Sequence, residues 1–327
     1  MIRPGDLLAV GVLALLCVGV VMVNSAGLTV GDAQAPVTFA SIVFSRSSVY
    51  LALAMAALYA TSLAPVRRLV SGPLATGILV WSAPLLLGVC AVVYLPGIGR
   101  EVNGAHRWLG ISLPGVGLVS VQPSEIAKWG LVLVLACYAA RNASRIDRFF
   151  DGLLPALMLT GGVAAIVVLE DLGTGALILA AGAIVLIAGG ARVTHFMALA
   201  PIGVAALGIA ILAKPYRVLR LTTFLNPYGD PENAGYHMIQ AMVAVANGEV
   251  FGRGLGFGLQ KFGYLPEDRT DFLFAVVCEE LGVMGAGTVI FLYLAVIWLG
   301  WEIVKRERDV AMRLLGLGVL ATFGLQT

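Results

Sequence analysis

The sequence predicts an all-α polytopic membrane protein, and three observations carry that reading. Hydrophobic residues make up 59% of the chain and charged residues only 12%, with a mean hydropathy of +0.94. An ordinary soluble domain is about one-quarter charged. Apolar runs of bilayer-crossing length, about 20 residues each, recur along almost the whole chain. Basic residues gather in the short connections between alternate runs, the asymmetry that orients membrane proteins.

Taken in order, the spanning runs fall near residues 7–26, 48–65, 74–96, 124–140, 152–169, 173–190, 194–213 and 272–301, and a ninth begins near 310. The first is too long for the apolar region of a signal peptide, and no small-residue cleavage site is evident before the following loop. The ninth is too short to cross before Thr327, so the chain reads as one integral membrane domain, 1–327, truncated within its last visible helix. Cys17, Cys90, Cys137 and Cys278 all fall inside predicted helices and read as small buried hydrophobes rather than disulfides or metal ligands. A net charge of +2 gives no support for nucleic-acid binding, and the 40 glycines suit close helix packing in lipid.

An N-terminus on the cytoplasmic side puts Arg3, Arg67, Arg68, Arg141, Arg145, Arg148, Arg192, Lys305, Arg306 and Arg308 into short inner connections. Two long loops, about 97–122 and 214–270, then face outward. The first is punctuated by Gly, Pro and Asn and reads as irregular backbone. His106-Arg107-Trp108 within it suits either an aromatic-belt Trp beside a snorkelling Arg or a head-group site, since Arg forks onto phosphate. Gln122-Pro123-Ser124-Glu125 opens the next helix, and Lys128 follows Glu125 on the same face. That pair either pins two helices or faces a polar cavity.

Glu170 and Asp171 form a short outer hairpin ahead of Gly173-Thr174, where an acid at a helix N-terminus is a cap. In the second long loop Lys214, Arg217 and Arg220 make a basic cluster, residues 224–227 end a segment by turn chemistry, and 237–250 has helical spacing. Residues 252–258 alternate glycine with other residues; flexible backbone and a backbone nest for phosphate both fit.

From Tyr264 to Gly282 the chain reads YLPEDRTDFLFAVVCEELG, an acid-rich segment running straight into a long apolar helix. An ionisable group at membrane depth costs about 2.5–3.5 kcal/mol by insertion scales, which marks such positions as functional candidates. Asp271 stands where the helix begins. Glu279 and Glu280 lie about two turns inside and project about 100° apart, so at most one shares a face with any cavity and both read as structural or supporting.

Six pieces stand in order along the chain: NGAHRW at 103–108, QPSEIAK at 122–128, FLNP at 224–227, GYHMIQA at 235–241, GRGLGFGLQK at 252–261 and LPEDRTDFLFAVVCEELG at 265–282. Together they resemble the SEDS family, the RodA/FtsW/SpoVE proteins of cell shape, division and sporulation, and the glycine-rich piece is closer to the FtsW/SpoVE branch. The resemblance implies about nine visible helices of an expected ten. It also implies a peptidoglycan glycosyltransferase that polymerises lipid II at the outer face of the bacterial plasma membrane, during division or elongation. Implied partners are a class B penicillin-binding transpeptidase, other divisome or elongasome membrane proteins and the bilayer itself.

By the same resemblance Asp271 matches the family's essential acid and Trp108 the tryptophan of its GA-x-RW segment. The chain departs from the pattern at Glu170, where the family has Pro, and at Arg269, where it commonly has His. In that chemistry a sugar 4-hydroxyl attacks an anomeric carbon and expels a polyprenyl diphosphate. Asp271 would take the hydroxyl proton. Arg107, Lys128, Arg217, Arg220 and Arg269 are the cationic candidates for the leaving diphosphate, with Gln122, Glu125 and Trp108 beside them and Asp171 and Thr174 in support. No cofactor is fixed by the residues; a divalent cation such as Mg2+ or Mn2+ is one candidate helper. The rival readings are a lipid II flippase, which would use the same cavity without Asp271 as a base, a non-catalytic division scaffold, and a secondary transporter. The last predicts an inverted repeat that is not found.

Overall fold

Each apolar run closes into a helix because lipid offers no partner to backbone N–H and C=O groups, which must then bond within the segment. The computed structural model describes residues 3–27, 45–95, 99–102, 105–113, 117–265 and 270–327. The helices are α1 (Pro4–Ala26), α2 (Arg46–Leu63), α3 (Val66–Val70), α4 (Leu74–Ala91), α5 (Pro123–Arg141), α6 (Leu154–Glu170), α7 (Leu172–Ala188), α8 (Val193–Leu212), α9 (Pro215–Leu225), α10 (Tyr236–Gly248), α11 (Leu273–Arg306) and α12 (Val310–Gln326). Among the described residues six helical stretches are long and apolar enough to cross a membrane, and α2, α7 and α12 are shorter apolar helices. These coincide with the runs expected from the sequence. The chain is a multi-pass membrane protein.

One expectation is corrected. The loop before α5 is not simply irregular: it carries a three-stranded antiparallel sheet, β1 (Gly99–Val102), β2 (Ala105–Leu113) and β3 (Gly117–Val121), in the order β1-β2-β3. The β1–β2 register shifts between Arg100 and Glu101, where β2 carries one extra residue, Arg107.

The chain folds as two compact units, Met1–Leu63 with Ile211–Leu299, and Ala64–Ala210 with Gly300–Thr327. In the second unit α5 is the central helix, packed by α4, α7 and α12. Its buried Leu131, Leu135 and Ala139 join Val163, Val185 and Leu314 in one apolar core. Small residues permit the close approach that stands in for a hydrophobic drive in lipid. A Cβ on Gly318 would come within 2.5 Å of Val132 and 2.7 Å of Val185. In contrast, α8 has no buried residue, and Met197, Val204 and Ile209 all expose about 70% of their surface, as a lipid-facing helix would.

In the first unit Met22 and Ala26 at the end of α1 pack with Ala241 and Ala244 of α10 and Ala275, Val276 and Val277 of α11. Of the four cysteines, Cys90, Cys137 and Cys278 are buried as expected, while Cys17 is exposed on α1.

Candidate functional site

The acidic segment is built around a helix break. At Gly282 the backbone of α11 turns to φ +66, outside the helical region, so neighbouring carbonyl and N–H groups lose their helical partners. The stretch after α10 supplies replacements. Arg253 and Gly254 donate to the carbonyls of Glu279 and Glu280, at 3.0 and 2.9 Å. Val283 and Met284 donate to the carbonyls of Glu249 and Val250, at 3.0 and 3.2 Å. The two backbones run so close that a Cβ on Gly282 would stand 2.4 Å from the Gly252 nitrogen. Glycine is required there on two counts, its positive φ and this approach.

Both acids of this break turn to the same loop. Glu279 accepts backbone N–H bonds from Leu259 at 3.0 Å and Gln260 at 3.2 Å. Glu280 accepts from the Gly256 N–H at 3.0 Å, from the Ser25 hydroxyl at 2.6 Å and from the Lys261 ammonium at 2.7 Å. All three charged side chains are buried, the two Glu residues at 0% exposure. Both acids are committed to structural contacts, Glu280 to a neighbouring helix through Ser25 of α1 as well. The glycine-rich loop wraps over the helix and satisfies both; of the backbone donors a phosphate nest would offer, the Gly256 N–H is engaged by Glu280 and those of Gly252, Arg253, Gly254 and Phe257 by backbone carbonyls.

Asp271 is placed differently. It lies in the turn before Leu273, the first residue of α11, and is exposed. The adjacent Phe272 stacks on His237 of α10, ring centroids 6.1 Å apart at 26°, which fixes the base of the turn. Of the cations in this unit, Arg217 on α9 is 8% exposed, with its Nε 3.2 Å from the Tyr216 hydroxyl, whereas Arg220 is exposed. Arg269, together with Glu267 and Asp268, lies outside the described residues.

The second unit holds the other candidates. Arg107 and Trp108 are carried by β2, where Trp108 faces Arg100 across the ladder and is half-buried. Lys128 is 1% exposed and donates to both carboxylate oxygens of Glu125 at 2.7 Å. The ammonium is thus buried against a carboxylate of its own helix, α5. Asp171 caps α7 by accepting the Thr174 N–H at 3.0 Å, as its position in the sequence suggests.

A small open cleft lies between the end of α4, the start of α5 and the α6–α7 turn. It is lined by Gln122, Ser124, Tyr94, Cys90, Glu170 and Asp171. Carboxylates and an amide suit sugar hydroxyls or amides better than a diphosphate. Glu125 and Lys128 are not among its lining residues.

Sequence reasoning missed Ser25 and Lys261. Lys261 stands in a piece that carries the family resemblance, but its partners are 236 and 19 residues away, and no local spacing announces such a pair.

The family model for the FtsW/RodA/SpoVE cell cycle proteins matches residues 6–327. The chain belongs to this family. It is 38% identical over 312 residues to a probable peptidoglycan glycosyltransferase FtsW of Thioalkalivibrio sulfidiphilus, covering 94% of this chain and 74% of the relative. It is 36% identical over 251 residues to the stage V sporulation protein E of Bacillus subtilis, covering 75% and 67%. Among solved structures it resembles a chain of a peptidoglycan synthase complex that coordinates polymerization and crosslinking, with TM-score 0.69 and 27% identity over 98% of this chain and 83% of that one. It also resembles the rod shape determining protein RodA of Thermus thermophilus, with TM-score 0.61 and 25% identity over 98% and 81%. The FtsW/SpoVE likeness in sequence and the RodA likeness in fold are both within the family read from the six pieces.

Proposed function

We propose that this protein is a peptidoglycan glycosyltransferase that polymerises lipid II at the outer face of the plasma membrane, with its N-terminus cytoplasmic and Asp271 as the general base. The observation that carries the reading is the division of labour among the acids of one segment. Glu279 and Glu280 are fully buried and committed to the glycine-rich loop, while Asp271 is exposed at the mouth of α11. Family relatives named as peptidoglycan glycosyltransferases support it.

In the reaction the 4-hydroxyl of one disaccharide forms a bond to the anomeric carbon of another as the bond to the diphosphate oxygen breaks. Asp271 accepts the hydroxyl proton, and the leaving polyprenyl diphosphate takes the electron pair and needs positive charge rather than a proton. Arg220 and Arg269 are the residues proposed to supply it. Lys128 is buried against Glu125 of the same helix. Among the described residues no three His, Cys, Asp or Glu side chains come together as a metal site. Addition of Mg2+, Mn2+ or a chelator to the assay tests for a helper cation.

A penicillin-binding transpeptidase is the proposed partner, supported by the likeness to a chain of a synthase complex. The test is polymerisation of labelled lipid II by the protein purified with such a transpeptidase. Glycan strands resolved on a gel are expected. No strands, with lipid II crossing the bilayer of proteoliposomes, would replace this reading with a flippase.

A further inference from the structure

Three segments far apart in the chain meet in one buried polar cluster. Ser25 ends α1, Lys261 closes the glycine-rich loop, and Glu280 precedes the break in α11. The Lys261 ammonium bonds both Glu280, at 2.7 Å, and the Ser25 hydroxyl, at 3.3 Å. Lys261 and Glu280 have no exposed side-chain surface. Asp271 lies ten positions after Lys261 and nine before Glu280, so the ion pair closes a ring of chain with Asp271 near its middle. The ring is held again inside: Leu265 is buried, and its N–H donates to the Gln260 carbonyl at 2.8 Å.

A fully buried ion pair is a poor source of stability, because the desolvation of both charges offsets their attraction. What it can supply is a single geometry in place of many. Apolar side chains would fill the same space without fixing the loop's direction. The cluster sits where such direction matters, on the ring that carries an exposed carboxylate whose use depends on placement. We propose that Lys261 and Glu280, held by Ser25, are positioning residues that set Asp271 relative to the sugar hydroxyl it deprotonates. This rests on the glycosyltransferase reading above.

The test compares wild type, the double variant Lys261→Met/Glu280→Met and the single variant Ser25→Ala, each purified with the transpeptidase. Thermal unfolding, kcat and KM for lipid II are measured for each. The double variant removes both charges at nearly constant volume, so it is expected to melt close to wild type. Its kcat is expected to fall about 10- to 100-fold, with KM changed less than about threefold. Ser25→Ala is expected to lower kcat about threefold or more with little change in melting. A purely structural cluster predicts the opposite: a folded double variant with wild-type kcat would overturn the proposal. Should the double variant not fold, Ser25→Ala decides alone, and wild-type kcat there would overturn it. If wild type itself made no glycan, the glycosyltransferase reading would fall and this inference with it, an outcome distinct from active wild type beside an equally active variant.

Discussion

Lys128 and Glu125 form a one-sided ion pair: the ammonium is 1% exposed, while the carboxylate that holds it by two 2.7 Å bonds is 39% exposed. Removing the carboxylate strands a buried charge, and removing both does not. Glu125→Gln is expected to destabilise the protein by about 1–2 kcal/mol, discounted for the solvent around Glu125. Adding Lys128→Met should recover most of that loss. Thermal unfolding in detergent checks it; a double variant less stable than Glu125→Gln would count against this buried-charge account.

Gly282 is expected to tolerate no side chain. At φ +66 an L-residue is strained by about 1–3 kcal/mol, and its Cβ would also meet the backbone of residues 250 and 252. Gly282→Ala should therefore lower the melting temperature and reduce polymerisation, since the same break seats Glu279 and Glu280. Gly287→Ala, five positions on in the same helix with nothing near its Cβ, should do neither and serves as the control.

Asp309 links α12 to α3, accepting the Met312 N–H at 3.1 Å and the Ser71 hydroxyl at 2.9 Å. The Met312 bond, aided by Ser71 and the charge of Arg67, outweighs the upward push of burial and holds Asp309 below its ordinary value of 3.8. A depressed carboxyl contributes stability that is fully present above the unfolded value and is lost as pH falls through the folded one. Asp309→Ala should cost about 0.5–2 kcal/mol at neutral pH. The gap to wild type should shrink below about pH 4 as the wild-type carboxyl protonates; a gap constant across that range would contradict the cap.

The two arginines of α9 should separate. Arg217 is buried and Arg220 exposed, so Arg217→Gln is expected to lower the melting temperature, by about 1–3 kcal/mol of stability. Arg220→Gln should leave melting unchanged and raise KM for lipid II by about three- to tenfold. Paired unfolding and steady-state measurements distinguish them.

The helices were legible because hydrophobic length is a strong signal: the expected run at 124–140 is α5, and that at 194–213 is α8. The Asp171 cap and the Glu125–Lys128 pair were legible because both are local, three residues apart. What was not legible is what depends on distant chain. Adjacent acids on an unbroken helix point about 100° apart, and nothing in that rule says that a loop wraps across both. The Ser25–Glu280 bond joins residues 255 positions apart. The sheet before α5 was hidden for another reason, since short strands with a bulge look locally like irregular chain.

The central claim is that Asp271 performs chemistry rather than binding, and one comparison tests it most directly. Wild type and Asp271→Ala, each purified with the transpeptidase, are measured for lipid II binding and for glycan formation on the same preparations. The account predicts that the variant stays folded and binds lipid II with wild-type affinity, while its polymerisation rate falls about 10²- to 10⁴-fold, the usual contribution of a general base. Glycan strands made by Asp271→Ala at the wild-type rate would contradict it.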